Sequence, residues 1–403
     1  MARILYLTQV LPYPLSTGAK VRQYYVLRYL SQHHEVTLVS FVRPDDRAEH
    51  IEHLQTFCAG VHTVPMTRSK WHDIRAGVKA MATGQPIVIV RDESEPMQQL
   101  LARLTASECF DVVHADQVAM AQYALGTMGD SPRRVLDLHN AMHLVTQRLA
   151  DNEPNPIKHA LMRHETQALA KYEAQLCARF DRVVFVTDSD RRAIEAQLDR
   201  HHVRVAADHF TTIPICSDPI DKAAIPPVAK PFRVTALGVM FWPPNAEGVA
   251  WFARDAWPQV RARHPEARLT IVGKNPPPLL TDLNGVDGIE VAGFVPDVQS
   301  ILAETAAFIV PLRAGGGMRV KILDTWCWGM PIISTRIGAE GIAVQDGENI
   351  LLADTADELA QAVNRVLGNA TLADQLRHNG RRWIEAKYDW RIGYRAWDDV
   401  YSC

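Results

Sequence analysis

The sequence predicts an α/β protein built from two doubly wound parallel sheets that face a central cleft. Three observations predict it: short apolar runs alternate with helical patterns, the alternation lapses once in a proline-rich stretch, and it then starts again. A strand, a crossover helix and a second strand form a βαβ unit, and successive units build a parallel sheet. Ligands of such sheets bind at the carboxyl ends of the strands, so we expect both domains to present those ends to the cleft.

The first βαβ unit stands at the start of the chain. Residues 4–7 are an apolar run, the following loop ends at Gly18, and an amphipathic helical pattern leads to a second apolar run at 35–39. The proline-rich stretch that reaches residue 231 predicts the linker between the domains. We therefore predict an N-terminal domain over 1–215, a linker over 216–231, a C-terminal domain over 232–387, and a terminal helix over 388–403 that returns to the first domain.

Composition excludes several other classes of protein. The chain has 403 residues, too many for one ordinary core, and its formal net charge of −3 shows no electrostatic signature of nucleic-acid binding. Its six cysteines are widely spaced, which predicts neither a zinc framework nor a disulfide scaffold. We see neither a signal peptide nor an apolar run of the roughly 18–20 residues that a membrane span needs. We expect a cytoplasmic location, with contact at the inner face of the membrane as an open alternative.

The most informative segment is residues 311–324, where an apolar strand runs into a glycine-rich loop and a helix expected to begin near Met318. Glycines let backbone amides approach an anion, and a helix N-terminus favours negative charge. Arg319 and Lys321 oppose the helix dipole at this end, which indicates a multivalent anion such as a diphosphate. Asp324 follows where a carboxylate accepts hydrogen bonds from ribose hydroxyls. The alternative is a plain glycine-rich turn with solvated basic residues. The predicted anion-binding loop consists of Gly315, Gly316, Gly317 and Met318.

Residues 315–342 resemble the donor-site signature of retaining GT-B glycosyltransferases of the family-4 type (glycosyl transferases group 1). Those enzymes have a glycine-rich loop, then a helix whose acidic residue holds the nucleotide ribose, then a G-x-P strand, matched here by residues 329–335. The resemblance extends over most of the chain. Further matching motifs, in the family's order, are DLHN at 137–140, WPPN at 242–245, IVGKNPP at 271–277 and GFVPD at 293–297.

This resemblance implies a GT-B fold of two Rossmann-like domains. It also implies transfer of a sugar, with retention, from a nucleoside-diphosphate sugar (UDP or GDP) to a glycan, lipid-linked or small-molecule acceptor, in polysaccharide or glycoconjugate biosynthesis. No cofactor besides the donor, and no essential metal, is expected. On the same basis Gly273, Lys274 and Phe294 are expected on the donor-binding side, around the base.

The resemblance also assigns roles in the N-terminal domain. His139 is expected beside the transferred sugar and, with Arg319 and Lys321, makes up the predicted catalytic set. Gly18 is expected to let this domain approach the donor phosphates. Its neighbours Thr17, Lys20 and Arg22 are candidate acceptor-side residues, although polar residues that simply begin a helix are an equal alternative.

Two departures from the family pattern shape the donor-site hypothesis. Family members often carry two glutamates eight positions apart, whereas here Gly316 takes the first position and Asp324 the second. The arginine and lysine that usually follow the first strand of the C-terminal domain are missing from residues 239–243. We therefore expect Arg319 and Lys321 to make the diphosphate contacts.

Other functions remain open at this stage. A nicotinamide or flavin oxidoreductase predicts GxGxxG after the first strand, which is missing. A nucleotide-sugar epimerase uses a donor site without an acceptor, and a catalytically lapsed GT-B protein only binds. A separate basic amphipathic pattern is interpreted as a half-buried helix, with docking on an anionic membrane as the alternative. That pattern consists of Trp71, Ile74, Val78 and Met81, interleaved with Lys70, Arg75 and Lys79.

Overall fold

The computed structural model describes residues 1–66, 68–126, 132–151, 153–206, 208–226 and 232–402. These residues form two compact units. The first comprises Met1–Ile215 together with the chain from Gly393 onward, and the second comprises Cys216–Ile392. The described part of the predicted linker thus belongs to the second unit, while its end at 227–231 lies outside the described residues.

The described strands of the first unit form a seven-stranded parallel sheet in the order β3-β2-β1-β4-β5-β6-β7. The strands are β1 (Arg3–Thr8), β2 (Glu35–Val42), β3 (Gly60–Pro65), β4 (Val112–Asp116), β5 (Arg133–Leu138), β6 (Arg182–Phe185) and β7 (Phe210–Thr212). The helices are α1 (Gly18–Leu30), α2 (Ala48–Gln55), α3 (Lys70–Thr83), α4 (Ile87–Arg91), α5 (Glu95–Ser107), α6 (Ala121–Gly126), α7 (Met142–Asp151), α8 (Pro156–Cys177) and α9 (Asp188–Arg200). A short 3₁₀ turn, Val118–Met120, precedes α6.

The second unit repeats this architecture with a six-stranded parallel sheet in the order β10-β9-β8-β11-β12-β13. Its strands are β8 (Arg233–Leu237), β9 (Arg268–Val272), β10 (Ile289–Gly293), β11 (Thr305–Val310), β12 (Ile332–Ser334) and β13 (Leu351–Leu352). Its helices are α10 (Pro243–Trp251), α11 (Trp257–Arg263), α12 (Pro278–Thr281), α13 (Val298–Ala303), α14 (Val320–Cys327), α15 (Ala356–Gly368), α16 (Ala370–Lys387) and α17 (Trp390–Gly393), with a π-helical turn at Phe252–Ala256.

The apolar runs seen in the sequence are the central strands of these sheets. Residues 4–7 of β1 are fully buried, as are Phe308 and Ala307 of β11. A parallel sheet is covered on both faces by its crossover helices, so its strands read as continuous rather than alternating apolar segments. In each sheet the order in which successive strands are added reverses beside the first strand, between β1 and β4 in one unit and between β8 and β11 in the other. Those two points are where ligands of doubly wound sheets bind.

The last helix, α18 (Ala396–Tyr401), belongs to the first unit. Its Trp397 is fully buried and lies against the guanidinium of Arg22, 5.4 Å from the ring centroid. Asp398 accepts a hydrogen bond from the Tyr29 hydroxyl at 2.9 Å. Across the described ranges, no helix combines the length and the apolar character that crossing a membrane requires.

Candidate functional site

The switch point of the second unit is bordered by the loops that follow β8 and β11. The first loop starts at Gly238, and the second contains the glycine-rich segment. Close backbone approach defines this edge of the sheet: a Cβ on Gly273, directly after β9, would lie 1.9 Å from the Gly238 carbonyl oxygen. The Gly273 N–H also donates to the carbonyl of Gly293, at the end of β10, over 2.7 Å. The predicted donor-side glycine is therefore required here for packing between loops.

Lys274 and Phe294 lie side by side at this same edge. The Lys274 ammonium is 4.7 Å from the centroid of the Phe294 ring, a cation–π distance. The ring itself is 60% exposed. An exposed aromatic face beside a cation is suited to stacking against a planar group such as a nucleobase.

The glycine-rich loop adopts a backbone that side chains do not favour. Gly315 and Gly317 have φ values of 126° and 71°, in the region where a Cβ is strained. A Cβ on Gly315 would also lie 2.7 Å from the Arg319 guanidinium. The helix was expected near Met318, but α14 begins at Val320 with Arg319 at its N-cap. The loop extends through Arg319, because the φ of −90° and ψ of 89° at that residue lie outside helical geometry.

Arg319 turns back onto the loop that precedes it. Its guanidinium donates to the carbonyls of Gly316 and Gly317, the latter over 2.7 Å. Met318 is buried. The predicted loop residues and Arg319 are thus brought together, with the arginine holding the loop in shape.

Lys321 reaches the loop after β8. Its Nζ donates to Asn245 Oδ1 at 2.9 Å, and a Cβ on Gly238 would lie 2.7 Å from that same Nζ. The lysine therefore places its charge where the arginine and lysine of the family pattern are missing. Burial, and then the nearby charge of Arg319, lower the pKa of Lys321 to about 7. Sequence reasoning missed Gly238 and Asn245, although Asn245 closes the WPPN motif.

Asp324 has a neighbouring cation that the sequence did not indicate. Its Oδ1 accepts from the Ser217 hydroxyl at 2.9 Å and forms an ion pair with Lys222. Both partners come from the segment that the sequence marked only as linker. The carboxylate is about one-fifth exposed, so a hydroxyl-bearing ligand can reach it.

In the first unit, polar side chains meet where β4 and β5 end. His139 Nε2 lies 2.8 Å from Asp116 Oδ1, and its Nδ1 lies 3.1 Å from Gln117 Nε2. Burial raises the pKa of Asp116. Burial also acts to raise the pKa of Asp137, but the Arg22 guanidinium together with His139 and His114 outweighs burial and holds that pKa below its usual value. The predicted His139 thus belongs to a hydrogen-bonded cluster whose carboxylates the sequence analysis did not select.

The three candidate acceptor residues lie in different environments. Arg22 is fully buried and donates to both Asp137 oxygens, at 2.7 and 2.8 Å, and to the Ile213 carbonyl. This corrects the acceptor-side expectation for Arg22, because a charge this deeply buried is held by its internal partners. Thr17 is instead the N-cap of α1, which starts at Gly18, and its hydroxyl accepts from the Lys20 N–H. The Lys20 ammonium lies 3.4 Å from Asp46.

The cluster contains a set of residues with metal-ligand spacing. Atoms of His114, Asp116 and Asp137 lie within 4.8 Å of one another. Each has a protein partner: Tyr401 for the histidine, His139 for Asp116 and Arg22 for Asp137. Burial lowers the pKa of His114 to about 3, which leaves the ring neutral at physiological pH.

Helix α3 is buried on one face, but the apolar stripe that the sequence pattern predicted to be buried is the exposed one. Its inward face consists of two small residues, Ala76 and Ala80, so the larger apolar residues of the opposite stripe remain in solvent. Their exposed fractions are 81% for Trp71, 57% for Ile74, 65% for Val78 and 68% for Met81.

The sequence is similar to one family model and to several known proteins. The family model "Glycosyl transferases group 1" matches residues 231–369. The chain is 21% identical to an uncharacterized 44.6 kDa protein in the cps region of Klebsiella pneumoniae, over 96% of this chain and 97% of that protein. A lipopolysaccharide core biosynthesis glycosyltransferase, LpsE of Rhizobium meliloti, is 29% identical over 27% of this chain and 33% of its own length.

Solved structures show the same fold over the whole chain. Sucrose-phosphate synthase from Thermosynechococcus elongatus is similar with a TM-score of 0.69 at 16% identity, covering 99% of this chain and 98% of that one. HepE of Anabaena in complex with UDP is similar with a TM-score of 0.66 at 13% identity, covering 99% of both chains. The protein therefore has the GT-B fold, and its residues 231–369 match the model of the glycosyl transferases group 1 family.

Proposed function

We propose that the protein is a glycosyltransferase that moves a sugar from a nucleoside-diphosphate sugar to an acceptor with retention of configuration. The observation that carries the proposal is the position of Lys321. Its ammonium lies beside Gly238 and Asn245 at the switch point of the sheet, next to a strained glycine loop and a helix start. Cations and backbone amides at such a point suit a diphosphate.

The donor-site residues take complementary roles in this proposal. The amides of Gly315, Gly316 and Gly317 surround the diphosphate with Arg319 and Lys321. Asp324 accepts hydrogen bonds from the ribose hydroxyls in exchange for its contact with Lys222. The exposed Phe294 ring and Lys274 border the base.

We favour a UDP-sugar over a GDP-sugar as the donor. The structural relative HepE was solved with UDP and with UDP-glucose, and TarM of S. aureus was solved with UDP and α-GlcNAc-glycerol. The proposed chemistry needs no metal, because stabilisation of the departing diphosphate comes from Arg319, Lys321 and the loop amides. His139 takes the role of orienting the transferred sugar.

The acceptor is proposed to be a glycan or a lipid-linked glycan precursor of a surface polysaccharide. Two relatives support this assignment by name: one lies in a cps region, and the other acts in lipopolysaccharide core biosynthesis. Thr17 and Lys20, at the start of α1 near the switch point of the first sheet, remain the acceptor-side candidates, and Gly18 between them is proposed to let this domain approach the donor phosphates.

A thermal-shift panel with UDP, GDP, ADP, dTDP and NAD tests the donor site. We expect one nucleoside diphosphate to raise Tm, since a ligand at a hundred times its Kd adds roughly 2.7 kcal/mol to the free energy of unfolding. Arg319→Ala should reduce this shift, because the arginine shapes the phosphate loop. Arg313→Ala is the matched control: Arg313 is exposed and stacks on Trp251 instead.

The remaining outcomes of the panel, together with activity assays on the donor that it identifies, separate the rival functions. Stabilisation by NAD alone would overturn the proposal in favour of an oxidoreductase. A nucleoside diphosphate that binds while neither transfer nor donor hydrolysis occurs would indicate a lapsed, binding-only protein. Interconversion of two nucleotide sugars without any acceptor would indicate an epimerase.

We also propose that α3 holds the protein against an anionic membrane, at the cytoplasmic inner face where a lipid-linked acceptor is presented. Its apolar stripe of Trp71, Ile74, Val78 and Met81 is exposed and lies opposite the buried alanines. Lys70 and Arg75 flank that stripe. Apolar residues between cations are the pattern of helices that lie in the plane of a membrane.

Substituting Trp71→Ser together with Met81→Ser is expected to abolish most sedimentation of the protein with phosphatidylglycerol-containing vesicles. The apolar area that enters the lipid would be lost, while the buried face of α3 stays intact. Val286→Ser, at a 48% exposed site in the second unit, is the control and should sediment like the wild type. Equal sedimentation of the double variant and the wild type would refute the membrane role.

A further inference from the structure

His139 is held from both sides of its ring by neighbouring polar groups. The Gln117 amide nitrogen can only donate, so the ring nitrogen 3.1 Å away, Nδ1, acts as an acceptor. The ring proton then resides on Nε2, which lies 2.8 Å from Asp116 Oδ1. A carboxylate accepts this proton, so both contacts select the same tautomer.

Asp116 is the carboxylate available to the ring. Asp137 Oδ2 is farther from Nε2, at 3.7 Å, and both of its oxygens accept from Arg22. The second oxygen of Asp116 accepts from the Gln23 amide, which fixes the carboxylate in place. The other titratable groups that face this cluster are Tyr6, His114 and Tyr401, and all three are buried.

Gln117 reaches His139 from an unusual backbone conformation. Its φ of 68° and ψ of 158° lie in a region that residues other than glycine rarely occupy. Its N–H donates to the Asp137 carbonyl at 2.8 Å, which holds the turn at the end of β4. Such strain persists where the surrounding structure enforces it, and it gathers at functional sites. Gln117 is half-buried, and its side-chain amide nitrogen lies 3.1 Å from the ring.

We propose that Asp116 and Gln117 are positioning residues that fix His139 in its Nε2–H tautomer and in one ring orientation. The proposal rests on the proposed function for the role of His139. The contacts among Asp116, Gln117 and His139 do not depend on that function, because the paired strands β4 and β5 end side by side and bring the three residues together. A ring that is already held in one orientation needs no reorganisation during the reaction.

Two-bond ¹⁵N–¹H correlation spectra of histidine-labelled protein read the tautomer directly. In the wild type, we expect His139 with protonated Nε2 and unprotonated Nδ1. Asp116→Asn should move the ring towards the Nδ1–H tautomer, because an asparagine amide can donate to Nε2 whereas the carboxylate only accepts. A wild-type ring in the Nδ1–H form would overturn the proposal without the need for any variant.

Kinetics of the same variants test the functional part. Asp116→Asn and Gln117→Leu should each lower kcat by about 10–100-fold while the donor KM stays unchanged, as when a group that orients a histidine is lost. Asp111→Asn, a carboxylate just before the opposite end of β4, is the control and should keep kcat. Wild-type kcat in both variants would contradict the positioning role. Absence of transfer with every donor would instead reject the proposed function, and the spectra would still decide the tautomer.

Discussion

Replacing Lys321 with alanine is expected to lower kcat/KM for the donor sugar nucleotide by about 100–1,000-fold, the usual loss when one preorganised donor to a developing negative charge is removed. Lys321 places its ammonium beside Gly238 and Asn245, so it supplies charge at the end of β8, where the chain carries no other basic side chain between Val239 and Pro243. Steady-state kinetics with the donor identified by the thermal-shift panel measure this loss.

Donor binding should also take up a proton above neutral pH. Burial and Arg319 lower the pKa of Lys321 to about 7 in the free protein, so at pH 8 most of the lysine is neutral. A diphosphate favours the charged form and raises that pKa again. Nucleotide affinity should therefore fall as pH rises through and above 7. Calorimetric titrations at pH 8, in buffers with different ionisation enthalpies, report the protons taken up.

Lys321→Arg serves as the matched control, because arginine stays charged at every pH used. It should bind nucleotide with no proton uptake. Lys321→Met should lose nucleotide binding. It should also raise Tm of the unliganded protein below about pH 10, because there the lysine is protonated in the unfolded chain while burial in the folded site disfavours the protonated form. Proton uptake that persists in the arginine variant would show that another group is responsible.

Breaking the buried pair between Arg22 and Asp137 is expected to destabilise the first unit by about 3–5 kcal/mol, the cost of leaving one buried charge without its partner. Both side chains are fully buried, and they share two hydrogen bonds of 2.7 and 2.8 Å. Arg22→Met is the change with the best fit in length. Hydrogen exchange of the β5 amides at increasing urea concentration measures the loss of unfolding free energy in this unit alone.

Two further results distinguish a lost charge pair from lost packing. The double variant Arg22→Met with Asp137→Leu should recover most of the stability, since apolar residues often replace a buried pair without loss. The pH dependence has a definite sign. The pKa of Asp137 is lower in the folded protein, so its contribution is present above the unfolded pKa of about 3.9 and is lost as pH falls through the folded value. A single variant as stable as wild type would refute this account.

The sequence determined the architecture because that information is local. Continuous apolar runs separated by helical patterns are what a parallel sheet covered on both faces requires, and the two sheets follow from them. The glycine loop was equally readable, since φ values of 126° and 71° at Gly315 and Gly317 need glycine at those positions. The helix after it was predicted near Met318, two residues ahead of its actual start at Val320.

Tertiary structure decided which side chains meet. Nothing near Lys321 in sequence indicates Gly238 or Asn245, and nothing near Asp324 indicates Lys222. These partners converge because strand order places distant loops at one edge of a sheet.

Burial was decided in the same way. Arg22 and Trp71 both lie in amphipathic helical patterns, yet the arginine is fully buried and the tryptophan is 81% exposed. Arg22 is buried because Asp137 lies opposite to compensate its charge, whereas the inward face of α3 has small residues and leaves Trp71 in solvent. A periodic pattern shows that a helix has two faces, but the partner across the interface determines which one is covered.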